Sequence, residues 1–223
     1  MKVQVAKLGL MVSVFFLLAG PGDATATAES SSKTVKSGSA CVVSERFELN
    51  GALTIEKGAT VTAPDRYLLT MTVNGVETAI QPGSYTGDVV LTPTVKISKA
   101  LYSLPAWALS KGVNTDYRTG LFVDGGKIVK ESSVVSVLVG GTYDDHAASG
   151  VNITSNNKAF NGFLINGSDY RISKVRMAAN GEGGNDFLGF GAGVAVTGKS
   201  NVDIDNFTFN GTGPIRHGIF AAG

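Results

Sequence analysis

The sequence predicts an all-β chain: an N-terminal antiparallel β unit with one short helix, followed by stacked strand-and-turn coils. Three observations point there. Apolar residues alternate in short runs, and in the last third one apolar pattern recurs. The chain also carries 29 glycines and only 17% charged residues, which suits many short strands joined by tight turns better than an amphipathic helical bundle. Its 223 residues suffice for one or two domains with real cores.

Residues 1–28 read as a secretion signal, with Lys2 and Lys7 at the start, an apolar run from Leu8 to Ala19, and the small residues Ala24 to Ala28 before cleavage. That run is too short for a spanning helix, which needs roughly 20 residues. Pro21 follows Leu17-Leu18-Ala19-Gly20 where a lipoprotein would place cysteine. The expected protein is therefore exported, to the cell surface, periplasm or medium, with no membrane span in the mature chain.

Cleavage removes Lys2, Lys7 and Asp23, leaving 17 basic and 17 acidic residues. The lysines are scattered singly, so no basic face exists for nucleic acid. The single Cys41 excludes an internal disulfide framework and a cysteine-based zinc site, and reads as a small buried thiol.

Residues 29–40 form a Ser/Thr/Lys/Gly stretch without apolar period, expected as a flexible leader. Residues 41–149 are expected as a mostly β capping region. Leu69, Met71 and Val73 alternate before Asn74-Gly75, a strong two-residue hairpin signal. Leu101, Leu104 and Ala108 recur at helical spacing between Lys99 and Lys111, with Gly112 as a stop, although Pro105 shortens or breaks that helix. Asp124-Gly125-Gly126 predicts a second hairpin, and Val134 to Val139 another strand.

Residues 150–223 carry the repeat. Tyr170 to Met177 and Val202 to Phe209 both read apolar-x-apolar-x-x-apolar-x-apolar, two short strands with a bend between them. A weaker first copy starts at Val151-Asn152-Ile153, and glycine-led strands follow each copy at Gly162, Gly193 and Gly218. Without the insertion Asn180 to Ala192 each coil is close to 20 residues, the signature of a β-solenoid. Asn and Gly suit its corners because they accept left-handed backbone. This pattern resembles the pectin-lyase-like right-handed parallel β-helix superfamily, whose resemblance implies the first coils of such a helix, incomplete at the C-terminus.

That superfamily includes lyases, glycoside hydrolases and non-catalytic surface proteins, so function must come from sites. Polygalacturonase-like members carry Asn-Thr-Asp, Asp-Asp and His-Gly elements on successive coils. Here Asn114-Thr115-Asp116, Asp144-Asp145 and His217-Gly218 occur in that order, making Asp144, Asp145 and His217 the candidate catalytic residues. However, Asp145 and His217 lie further apart in sequence than adjacent coils would place them, and Arg216 replaces the expected glycine.

Calcium is the one cofactor the residues allow. Asp203 and Asp205 project from one face of a strand as hard oxygen ligands that could hold calcium, yet without a third and fourth acid nearby a solvated strand face is the better reading. Gly181 to Leu188 partly matches the calcium-binding nonapeptide of repeat-in-toxin proteins, which makes Asp186 a third candidate. Phe187 and Phe190 on that insertion are either exposed contacts for a glycan or surface protein, or packing residues.

The expected function is a binding, adhesive or structural role at the cell surface or outside it. Further β-helix coils, or a partner, would cover the open C-terminal end. The alternative is a polyuronate lyase or glycoside hydrolase whose catalytic coils lie mostly beyond residue 223.

Overall fold

The computed structural model describes residues 30–97, 101–102 and 116–223. The expected secretion signal, most of the helix expected between Lys99 and Lys111, and Asn114 and Thr115 lie outside the described residues. Among the described residues the chain is all-β, with mixed sheets and three single-turn 3-10 segments. No described helix is long and apolar enough to cross a membrane.

The first half contains β1 (Ser30–Val35), β2 (Ala40–Val42), β3 (Phe47–Ile55), β4 (Thr60–Thr62), β5 (Tyr67–Val73), β6 (Val76–Thr78) and β7 (Gly83–Val95). The antiparallel unit is formed by β3, β7, β5 and β6 as successive neighbours. Asn74 and Gly75, at φ 51° and 76°, make the two-residue turn with Val73 opposite Val76, because both tolerate the positive φ that this hairpin needs. The strands' alternate residues Leu49, Leu53, Met71, Val89 and Leu91 bury a shared core.

The expected leader is instead part of the sheet. Strand β1 pairs in parallel with β3, from Ser30 opposite Asn50 to Val35 opposite Ile55, and β2 pairs with β4, Ala40 opposite Thr60. The offset stays at 20 residues, and the sequences match across it. Thr34-Val35-Lys36-Ser37-Gly38 stands over Thr54-Ile55-Glu56-Lys57-Gly58, and Arg46-Phe47-Glu48-Leu49 corresponds to Arg66-Tyr67-Leu68-Leu69. Low hydropathy concealed the repeat, because β1 is held by backbone hydrogen bonds while only Val35 and Cys41 of this stretch pack on the core. Cys41 is half-buried rather than enclosed, and burial pushes its thiol pKa up.

The second half contains β8 (Arg118–Asp124), β9 (Lys127–Ile128), β10 (Thr142–Tyr143), β11 (Ala147–Ser149), β12 (Asn152–Ser155), β13 (Phe160–Asn166), β14 (Asp169–Ser173) and β15 (Arg176–Asn180). Next come β16 (Val194–Thr197), β17 (Asn201–Asp205), β18 (Thr208–Thr212) and β19 (Ile219–Ala222). From β11 onward the chain visits three sheets in rotation. Strands β11, β14 and β17 stack in parallel in one sheet, β12, β15 and β18 in a second, and β13, β16 and β19 in a third, which β8 extends.

Ile172 stands opposite Ile204, and Val175 is fully buried with Phe207 packed against the same cluster. The bend inside each copy falls at Lys174 and Asn206, both left-handed at φ 54° and 55°. Each copy is followed by a glycine for a steric reason. A Cβ on Gly162 would lie 2.5 Å from the Gly193 carbonyl oxygen, and one on Gly193 2.7 Å from that of Gly218, so the stacked backbones leave no room for a side chain.

Three expectations differ. The first copy is shifted, since Asn152 and Ile153 pair with Arg176 and Met177, while Ala148 pairs with Ile172; Val151 thus begins the second half of its unit. The parallel stack also begins before residue 150, because β8 joins the β13 sheet and β6 pairs with β12, Glu77 opposite Ser155. Finally, Val134 to Val139 is not a strand. A 3-10 turn spans Val135–Val137, and buried Val134 and Val137 lie three apart, a spacing that a short valine run leaves ambiguous.

Candidate functional site

The corner after the third sheet is built from three stacked turns, Gly125-Gly126 after β8, Gly167-Ser168 after β13, and Gly198-Lys199-Ser200 after β16. Hydrogen bonds run up this column. Gly126 N donates to Ser168 Oγ at 2.9 Å and Ser168 N to Ser200 Oγ at 3.1 Å. One residue earlier, Asn166 Nδ2 donates to Asp124 Oδ1 at 2.7 Å and Thr197 Oγ1 to Asn166 Oδ1 at 2.9 Å. His146 approaches from the neighbouring sheet, where its carbonyl accepts from Arg171 N at 2.9 Å. Between these walls lies an open polar groove of about 350 Å³, lined by Gly125, Gly126, His146, Gly167, Ser168, Asp169 and Lys199.

Asp144 and Asp145 lie beside this groove and hold the turn that presents His146. Asp144 Oδ1 accepts from His146 N at 2.8 Å and Ala147 N at 2.9 Å. Asp145 Oδ1 accepts from Ile128 N at 2.9 Å and its Oδ2 meets Lys127 Nζ at 2.8 Å. These bonds stabilise the ionised forms. The Asp144 carboxyl is held below its ordinary pKa first by the His146 N–H, and that of Asp145 first by the Ile128 N–H and then by Lys127.

Because folding depresses both pKa values, their stabilising effect is present above the unfolded value near about 3.9 and is lost as pH falls through the folded values. Melting curves should therefore show an acid-limb loss below about pH 4 that is smaller in the Asp144→Asn, Asp145→Asn double variant. Identical limbs would exclude these two carboxylates as its source.

His217 is not brought to Asp145. Its carbonyl accepts from Gly193 N at 2.8 Å, just ahead of β19, whereas Asp145 is bonded to β9. Those strands are the opposite edges of one five-stranded sheet, four spacings or roughly 19 Å apart. The His217 Nε2 is enclosed without a hydrogen-bond partner among the described residues. Asp116 is exposed. On β17, Asp203 lies 3.5 Å from Arg171 Nε, its cross-strand neighbour, and Asp205 stands opposite Ser173. Asp186 falls in the 3-10 turn Asp186–Leu188, with its side chain outside the described part. Among the described residues no three His, Cys, Asp or Glu side chains converge as metal ligands.

The glycine-rich insertion is tied to the body. Tyr102 and Tyr117 hydroxyls donate to the carbonyls of Phe187 and Leu188 at 2.7 and 2.5 Å. Phe190 is buried with its ring 4.4 Å from that of Tyr117, whereas Phe187 is 63% exposed.

Sequence reasoning passed over two polar groups that hold this architecture. Glu77 is fully buried, and its carboxylate accepts from Arg118 Nη1 at 2.8 Å, Ser155 Oγ at 2.6 Å and Asn157 Nδ2 at 3.1 Å. Arg118 also donates to the Lys158 carbonyl. Arg216, met in the sequence only as a substituted glycine, donates to the carbonyls of Gly181, Phe160, Gly191, Asn157 and Asn180. Burial lowers its pKa, which the Glu77 charge opposes. Nothing local in the sequence marks either role, since their partners lie far away along the chain.

No protein-family model, curated protein or solved structure matches the chain.

Proposed function

We propose that this is an exported protein whose second half forms coils of a right-handed parallel β-helix, similar to the pectin-lyase-like superfamily, and that it has a binding, adhesive or structural role at the cell surface or outside the cell. The observation that supports it is the rotation of β11 to β19 through three sheets in constant order, each strand parallel to its neighbours within that series. Side-chain ladders reinforce that stack, among them Asn156, Asn180 and Thr212, joined at 2.7 Å at each step. A solenoid of this kind presents an extended repetitive surface suited to contact with a large partner.

The apolar face of β17, β18 and β19 supports contact with a partner. Val202, Ile204, Phe207 and Phe209 are only half-buried, and Ile219 is 53% exposed. The candidate carboxylates, by contrast, are spent on turn geometry, and glycoside hydrolysis requires a carboxyl pair within about 10 Å of each other that flanks the bond. Incubating the full chain with polyuronates, with and without calcium, should release neither unsaturated products nor reducing ends. Turnover that disappears in Asp145→Ala or His217→Ala would establish the enzymatic reading instead.

A further inference from the structure

We infer that the corner groove binds a ligand carrying both an ammonium and a carboxylate, either a free α-amino acid or a short peptide with both termini free. This rests on the binding role proposed above. Around the groove, charges that meet are already matched: Lys127 with Asp145 at 2.8 Å, and Arg171 with Asp203 at 3.5 Å. Lys199 and Asp169 line the same groove, are both exposed, and make no hydrogen bond or ion pair with the described residues or with each other. One positive and one negative group therefore stand on the same concave surface, on neighbouring strands' ends, since Asp169 is opposite Asn201, two residues after Lys199.

The groove is also preformed. Its three turns are fixed by the Ser168 and Asn166 columns, and Asp144 clamps the backbone on both sides of the His146 imidazole. Gly125 and Gly126 have nothing within 4 Å of where a Cβ would lie, so bare backbone is open to a ligand there. The Gly126 and Ser168 N–H groups are already used, which leaves the side chains to select what binds. A volume of about 350 Å³ lies within the usual range for small-molecule sites. A simple anion would be repelled by Asp169, a simple cation by Lys199, and a neutral ligand would leave both charges unmatched. A zwitterion satisfies the pair, its carboxylate on Lys199 and its ammonium on Asp169.

The test titrates the full chain with alanine and trialanine, and with the N-acetylated and the amidated form of each, following the amide resonances of Gly125, Gly126, Gly167 and Lys199. Alanine against trialanine separates a free amino acid from a short peptide. The better of the two should saturate these shifts. Blocking either of its charges, by N-acetylation or amidation, should weaken binding roughly three- to tenfold. Asp169→Asn should become insensitive to N-acetylation, and Lys199→Ala insensitive to amidation, with melting midpoints unchanged. Absence of saturable shifts, or equal affinity for charged and blocked forms, overturns the groove assignment and leaves a purely structural role standing. Polyuronate turnover would overturn the proposed function without touching the groove.

Discussion

Glu77→Ala is expected to destabilise the folded chain by about 3–5 kcal/mol, the range for removing one partner of a buried ion pair. The carboxylate has no access to water, and three side chains donate to it. Its loss leaves the Arg118 guanidinium, itself only 17% exposed, facing an emptied site with unpaired Ser155 and Asn157 donors. The effect should reach beyond one contact, because Glu77 lies where β6 joins the antiparallel unit to the parallel stack through β12. Denaturant midpoints of Glu77→Ala, Arg118→Ala and the double variant measure the coupling. The double variant should lose less than the sum of the singles. A Glu77→Ala loss below about 1 kcal/mol, the size of an ordinary substitution, would show that the carboxylate is not part of the joint.

Ile172→Ala should cost about 2–5 kcal/mol, as buried isoleucines do when a cavity is left behind, while Ile204→Ala should cost on the order of 1 kcal/mol. The two residues are identical in type, adjacent in register and in the same sheet. They differ in what lies above them. Ile172 lies between β11 and β17 and is fully buried, whereas Ile204, on β17, pairs with β14 alone among the described residues and is half-buried. Chemical denaturation of both variants checks the difference. Equal losses would mean that the Ile204 face is covered in the folded protein, by a second copy or by a chain segment.

Part of this structure was legible because it is local. The Asn74-Gly75 hairpin needs only positive φ at two neighbouring positions, and the bends at Lys174 and Asn206 fall where the apolar pattern breaks step. The pairing of Ile172 with Ile204 followed from copying the same pattern. The copy starting at Val151 was misplaced because Ala147-Ala148-Ser149, the true partner of Arg171-Ile172-Ser173, carries too little apolar surface to be recognised. The leader was misread for the same reason: Ser30 to Val35 pairs by backbone, which hydropathy does not register. At the candidate site, Asp144 and Asp145 were legible as a carboxylate pair, but the turn bonds that they accept were not, since turn carboxylates and catalytic carboxylates look alike in sequence and differ in which donors reach them. The groove that they border brings together His146, Asp169 and Lys199, which no motif links.

By itself the sequence determined that this chain is all-β, where several of its tight turns fall, and which residues after Tyr170 face inward, because each depends on residues a few positions apart. Tertiary structure alone decided that the parallel stack starts before residue 150, that Glu77 and Arg216 hold it, and that His217 stands across a sheet from Asp145. Those facts depend on which strand pairs with which, and that register is set by burial and hydrogen bonding between segments 20 or more residues apart.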